Sequence, residues 1–269
     1  MTASPKLRMN QLTGGEAREI LARRPVILLP MGSQEDQGPH APMGDYMSAD
    51  AIAERIAGRA TAAGTETLVA PVLPFGGADY FGAMPGGIAL EQATLRAVIG
   101  DMLACLERHA LTRVVVINGH GGNCEAIHEA THALYRRTGA IVPSLYLWRV
   151  GYGLLPGILG AETAKRAAGH GADPLTSVAW HLFPEIMRPD LTPPAAPLLD
   201  VMGLKARAFG SLDFEGSEIT VPVEYNEIAP NGVRTGDPAL CSPATGAALV
   251  EQLTEIGARF VVHYGKHAK

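Results

Sequence analysis

Residues 114–123 read VVVINGHGGN. Val114, Val115, Val116 and Ile117 are consecutive β-branched residues, and a strand apolar at successive positions must be covered on both faces, the condition inside a parallel sheet. Asn118 closes that strand. Gly119, His120, Gly121, Gly122 and Asn123 then form a loop before a helix starting near Asn123. The same pattern recurs upstream, where Val26, Ile27, Leu28 and Leu29 make a uniformly apolar strand that runs into the polar loop GSQEDQGPHAPMGD, residues 32–45. Thr13, with Glu16 three residues on, caps a short helix that ends before Pro25. Helices are also expected across Ser48 to Ala62 and Leu90 to Arg108, with strands around Thr67 to Val72 and Ala140 to Tyr146. Strands alternating with helices at this spacing build βαβ units. The expected class is therefore α/β, a three-layer α/β/α arrangement around a mostly parallel central sheet, with residues 1–269 forming a single domain. Between Arg188 and Pro238 the rhythm breaks at Pro189, Pro193, Pro194, Pro197, Pro222 and Pro230, which reads as a long excursion with a hairpin. A last helix is expected from Ser242 to Phe260, its apolar face carrying Leu249, Val250 and Leu253.

Composition narrows the function. With 269 residues, 47% hydrophobic and 18% charged, the chain can bury a sizeable core, which excludes disordered and fibrous classes. A formal charge of −5, from 22 basic and 27 acidic residues, leaves no electrostatic footprint for nucleic acid or an anionic membrane. A small-molecule substrate or other protein chains are the expected partners. Cys105, Cys124 and Cys241 are odd in number and far apart, as reduced thiols rather than a disulfide framework. The opening MTASPKLRMNQ lacks the apolar run of a signal peptide, and no stretch of about 18 apolar residues could span a membrane, so a cytoplasmic location is expected.

In open parallel sheets ligands bind beyond the carboxyl ends of the strands. Two loops stand there, one with Glu35, Asp36, Gln37, His40 and Asp45, the other with Asn118, His120 and Asn123. Glu, Asp and His together are a ligand set for Zn²⁺ or Mn²⁺, and a carboxylate such as Asp45 can bridge two ions. The same residue types also cap turns, and loop composition alone does not separate the two readings. A rival pattern lies downstream, where His128, Glu129, Ala130, Thr131 and His132 spell H-E-x-x-H, the zinc-peptidase motif. Ile127, Ala130 and Leu134 make the apolar side of that helix, which leaves His128, Glu129 and His132 on its polar side.

Three stretches resemble the creatininase family of metal-dependent amidohydrolases. PMGSQEDQGPHAPMGD resembles the family's P-x-G-S-x-E-Q-H-G-P-H loop and its following aspartate, VVVINGHGGN its N-G-H-G-G-N strand end, and AGHGADPLTS its H-A-G-E segment. PVLPFGGADYFGAMPGGIAL and NGVRTGDPALCSPATG add weaker likeness in the same order, so the resemblance runs from about residue 12 to about residue 258. It implies a hydrolase of a C–N bond in a small amide, lactam or related substrate, using a metal-activated hydroxide and a histidine proton shuttle. It implies Glu35, Asp45 and His120 as ligands of a first ion and His170 as the shuttle. For a second ion the family supplies a histidine and a glutamate, and here Gln37 replaces the histidine while Asp173 stands in the glutamate's place. His40 is a possible substitute ligand, so one or two Zn or Mn ions are expected per subunit. Asp173 is alternatively an N-cap of the helical run after Pro174. Creatinine itself is not the expected substrate, because family members that hydrolyse it carry a glutamate where this chain has Gly122. A homo-oligomer is expected, from the family and from the sparsely charged stretch FGAMPGGIAL. The alternatives are a catalytically impaired relative acting as a binding or assembly protein, and a zinc peptidase centred on His128 and His132.

Overall fold

The structure, a computed structural model, describes residues 6–195, 197–208 and 210–268. The first strand, β1 (Val26–Met31), is buried at every position. It is followed in the sheet by β2 (Thr67–Val69), β3 (Val114–Asn118) and β4 (Ser144–Tyr146), in the spatial order β2-β1-β3-β4 and all parallel. Leu28 pairs with Val115 and Met31 with Asn118, so the carboxyl ends of β1 and β3 lie level.

Successive side chains of a strand point to opposite faces, and each face here has its own core. Val26, Leu28, Val115 and Ile117 face one layer, while Ile27, Leu29, Met31, Val114 and Val116 face the other. The short α1 (Gly14–Leu21) carries the capping box read from Thr13 and Glu16. α2 (Tyr46–Ala62) packs on the first face through Ile52 and Ile56, whereas α3 (Gln92–Glu107) and α4 (Cys124–Thr138) cover the second through Leu95, Ile99, Ile127 and Leu134. α5 (Leu147–Leu159) is completed by α6 (Ala161–Ala167) and α7 (Leu175–Leu182), and with α9 (Pro243–His267) they return to the first face. Fully burying one such aliphatic side chain is worth about 1.5–3 kcal/mol, so the doubly covered strands hold the molecule together. The result is the α/β/α sandwich expected, built as one domain.

The boundaries differ in instructive ways. β1 runs through Pro30 to Met31, two residues past the expected end at Leu29. β2 stops at Val69 instead of Val72, because Pro71 has no N–H to give the ladder. β4 is confined to Ser144–Tyr146 rather than beginning at Ala140, and Pro143 contributes only its carbonyl, which accepts from Val116 N–H at 2.9 Å. The excursion after Arg188 holds not one hairpin but a four-stranded antiparallel sheet, β5 (Asp200–Val201), β6 (Leu204–Ala208), β7 (Ser211–Phe214) and β8 (Ser217–Thr220), followed by the single turn α8 (Tyr225–Ile228). The last helix continues beyond Phe260 to His267. Among the described residues no helix is long and apolar enough to cross a membrane.

The order β2-β1-β3-β4 has a consequence for function. After β1 the chain crosses by α2 on one face to reach β2, and after β2 it crosses back by α3 on the other face to reach β3. Loops leaving β1 and β3 therefore diverge, and the crevice between their carboxyl ends is the topological switch point at which such sheets bind ligands.

Candidate metal centre

The loop after β1 is folded back on itself by its own backbone. Gly44 N–H donates to the Glu35 carbonyl at 2.9 Å, and Asp45 N–H donates to the Ser33 carbonyl at 3.2 Å. Gly32 is required there, since a Cβ would stand 2.4 Å from Asp45 Oδ1 and 2.5 Å from Tyr46 Cα. Asp45 sits at the N-cap of α2, and its Oδ1 accepts from Ser33 N–H at 2.7 Å rather than from the helix. That leaves Oδ2 directed at the loop after β3.

In that second loop the side chain of Asn118 fixes the backbone of His120 from both sides. Its Oδ1 accepts from His120 N–H at 3.0 Å and its Nδ2 donates to the His120 carbonyl at 2.7 Å. The imidazole Nε2 lies 2.9 Å from the Gly77 carbonyl, which can only accept, so the ring proton belongs on Nε2. Nδ1 then faces Glu35 Oε1 at 3.2 Å and Asp45 Oδ2 at 3.3 Å. One ligand atom from each of Glu35, Asp45 and His120 lies within 4.8 Å of the others, and all three residues are buried.

Two buried carboxylates side by side are costly unless a cation balances them. Burial pushes the Glu35 carboxyl up to about 7 and raises that of Asp45 as well, against the opposing pull of His120. Burial alone would lower the His120 imidazole, but the Glu35 and Asp45 charges win and hold it well above its ordinary value. These are groups competing for one positive charge. A divalent ion supplies that charge, and one imidazole with two carboxylates suits Zn²⁺ or Mn²⁺. The arrangement in which Nε2–H binds a backbone carbonyl and Nδ1 faces the ion site is the usual outer-shell support of a ligating histidine.

The three residues lie in a cavity of about 280 Å³, with Tyr80, Phe81, Tyr146 and Trp148 on its walls. His170 lines the same cavity. Its Nε2 donates to the Asp36 carbonyl at 2.8 Å, its ring stacks on Phe81 with centroids 4.5 Å apart, and burial lowers it to about 3. It is a neutral imidazole at ordinary pH.

The other expected ligands are placed differently. Gln37 turns its Nε2 to Glu35 Oε1 at 2.9 Å, and its buried Oε1 has no hydrogen bond. His40 is buried with neither ring nitrogen hydrogen-bonded, and desolvation lowers its pKa. Asp173 is fully buried, does not line the cavity, and faces Ser177 and Cys241 without a hydrogen bond of good geometry. Neither His40 nor Asp173 brings a ligand atom into the cluster of Glu35, Asp45 and His120. The N-cap expectation for Asp173 also needs correction, because Pro174 occupies the cap of α7 and no side chain caps it. The H-E-x-x-H residues lie on the outer side of α4, where His128 and His132 are exposed and Glu129 is ion-paired with Arg96 at 2.7 Å. No third ligand joins them among the described residues.

Sequence reasoning passed over Tyr146, Arg149 and Tyr152, which line the cavity. They belong to the carboxyl end of β4 and the first turns of α5, the same kind of position that singled out the other two loops.

Sheet topology and the buried cradle at its switch point together define a metal-dependent α/β enzyme. The chain belongs to the creatininase family, whose model, described as creatinine amidohydrolase, matches residues 10–261. It is a metal-dependent amidohydrolase of that family. A mycofactocin precursor peptide peptidase of Mycobacterium ulcerans (strain Agy99) is 30% identical over 204 residues, covering 72% of this chain and 74% of the relative. A crystal structure of creatinine amidohydrolase (creatininase) superposes with a TM-score of 0.78 at 22% identity, over 97% of this chain and 98% of that one. A manganese creatininase structure gives a TM-score of 0.75 at 23% identity, over 96% of this chain and 98% of that one. At those identities the two structures establish the shared fold.

Proposed function

We propose that this chain hydrolyses a C–N bond in a small amide, lactam or related substrate, with one Zn²⁺ or Mn²⁺ held by Glu35, Asp45 and His120. The observation that carries the reading is the convergence of three buried ligand atoms within 4.8 Å at the floor of a cavity. A bound divalent ion supplies Lewis-acid polarisation of a carbonyl oxygen and acidification of water. The protein's own groups do the rest. Gln37 orients Glu35 through its amide, and Gly77 holds His120 in the tautomer that presents Nδ1. His170, anchored through Nε2–H, is left with Nδ1 as its basic atom, and that atom takes a proton from water and returns it to the leaving nitrogen.

A single ion is favoured by the lack of a second cradle among the described residues. Gly122 bears on the substrate instead and argues against creatinine, since a Cβ there would stand 2.3 Å from the Gly77 carbonyl oxygen and 2.6 Å from His120 Nε2. A carboxylate at that position would require the loop to shift.

The test is removal and return of the metal. Protein stripped with a chelator is expected to lose hydrolysis of a panel of lactams and N-acyl amino acids by at least about 100-fold, and reloading with Mn²⁺ or Zn²⁺ is expected to restore it. Equal rates for stripped and reloaded protein would refute the proposal.

A further inference from the structure

Among the described residues, Arg149 is the one guanidinium or ammonium group that lines the cavity of Glu35, Asp45 and His120. It lies in the first turn of α5, directly after Tyr146, whose strand β4 is paired with β3. Its backbone is therefore fixed with respect to the strand end that carries His120. The guanidinium stands 5.7 Å from the centroid of the Tyr146 ring, a cation–π distance that steers the fork along the cavity wall.

What Arg149 lacks is an acid. Arg8, Arg59, Arg96 and Arg137 are each held by a carboxylate of the protein. Among the described residues no carboxylate forms an ion pair with Arg149, although it shares a cavity with Glu35 and Asp45. Charge balance sharpens the point. Two carboxylates and a divalent ion cancel, which leaves Arg149 as the cation on the cavity wall, with Arg234 adding positive potential at His170 and Tyr152. The phenol of Tyr146 stays neutral, because burial raises it. A planar guanidinium offers paired N–H donors that match a carboxylate bidentately, and one positive charge matches a monoanion.

We propose that Arg149 is a specificity-determining residue that binds a carboxylate of the substrate, so that the enzyme acts on small amides carrying a carboxylate group. This rests on the amidohydrolase reading of the same cavity. The cavity of about 280 Å³ lies just below the roughly 300–1,000 Å³ typical of small-molecule sites, which fits a small substrate, and its walls suit a flat or apolar body between anion and amide.

The experiment compares two probes of nearly equal shape, N-benzoylglycine and its neutral carboxamide, by titration calorimetry against Mn²⁺-loaded protein. Wild type is expected to bind the acid at least about tenfold more tightly than the carboxamide, as a charge-assisted bidentate contact allows. Arg149→Gln is expected to abolish that preference, with most of the change on the acid, and Arg149→Lys to retain part of it. Arg149 is exposed, so neither variant disturbs the core, and thermal melting of both is expected to match wild type. No preference in wild type, no binding of the acid at millimolar concentration, or a preference that survives Arg149→Gln would overturn the proposal. Elemental analysis of the same samples separates the two readings. Protein that never retains metal but still prefers the acid through Arg149 contradicts the hydrolase reading alone, whereas metal-dependent hydrolysis with no response to Arg149 contradicts this proposal alone.

Discussion

Gln37 shows how one substitution relative to a family pattern changes the job of a residue. An amide oxygen is a weak ligand, but the amide N–H₂ is a good clamp for a carboxylate, and Nε2 meets Glu35 Oε1 at 2.9 Å. Loss of an outer-shell partner typically costs 10–100-fold in metal affinity, so Gln37→Ala is expected to weaken metal binding about tenfold in competition with a chelator. Unchanged affinity would reduce Gln37 to packing. Asp173 is expected to behave in the opposite way. Its carboxyl is buried away from the cluster, and burial raises its pKa above the ordinary value. A carboxyl raised on folding costs stability as pH climbs past its unfolded pKa of about 4, and the cost is absent below that. Asp173→Asn is therefore expected to keep its metal and to melt at a higher temperature than wild type at pH 7, the difference vanishing below about pH 4. Metal loss in this variant would return Asp173 to the ligand set. That Glu35, Asp45 and His120 gather at one sheet edge was legible from the sequence, whereas the direction in which Gln37 and Asp173 point was not, because a side chain's aim depends on packing that no spacing encodes.

Elements were legible wherever burial was complete. β1 and β3 announce themselves as unbroken apolar runs because both faces are covered, and α1 is marked by a capping box that the structure contains. Thr13→Ala removes that cap and is expected to lower stability by about 1 kcal/mol in urea unfolding. An unchanged midpoint would mean that α1 contributes nothing to the cooperative unit. Strand ends were less legible, since Pro71 and Pro143 end the ladder inside stretches that stay apolar. The sheet of β5 to β8 is read from sequence only as a hairpin, for a different reason. β8 is exposed at all four positions, so it lacks the alternation of a strand with one buried face. The loop after β3 is the element on which the site depends most tightly. A methyl group on Gly122 would meet both the Gly77 oxygen and His120 Nε2, so Gly122→Ala is expected to displace the imidazole and lower metal retention while leaving the sheet intact by circular dichroism. Full retention of metal in this variant would show that the loop has slack.

Across the whole molecule, the two cores on either face of the sheet hold the switch point rigid, and the loops at that point supply the chemistry. The stretch FGAMPGGIAL, read as an interface, is divided in the structure, with Phe81 buried and Ile88 exposed. An exposed apolar side chain such as Ile88 favours association, so a multimer is expected in light scattering. A monomeric mass throughout the micromolar range would remove that expectation. The central claim is that Glu35, Asp45 and His120 form one metal site, and it is tested most directly by elemental mass spectrometry of purified wild type and His120→Ala, which needs no substrate. The account predicts close to one Zn or Mn ion per wild-type subunit and close to none in His120→Ala. A wild type with essentially no metal, or a His120→Ala variant that retains the full complement, would contradict it.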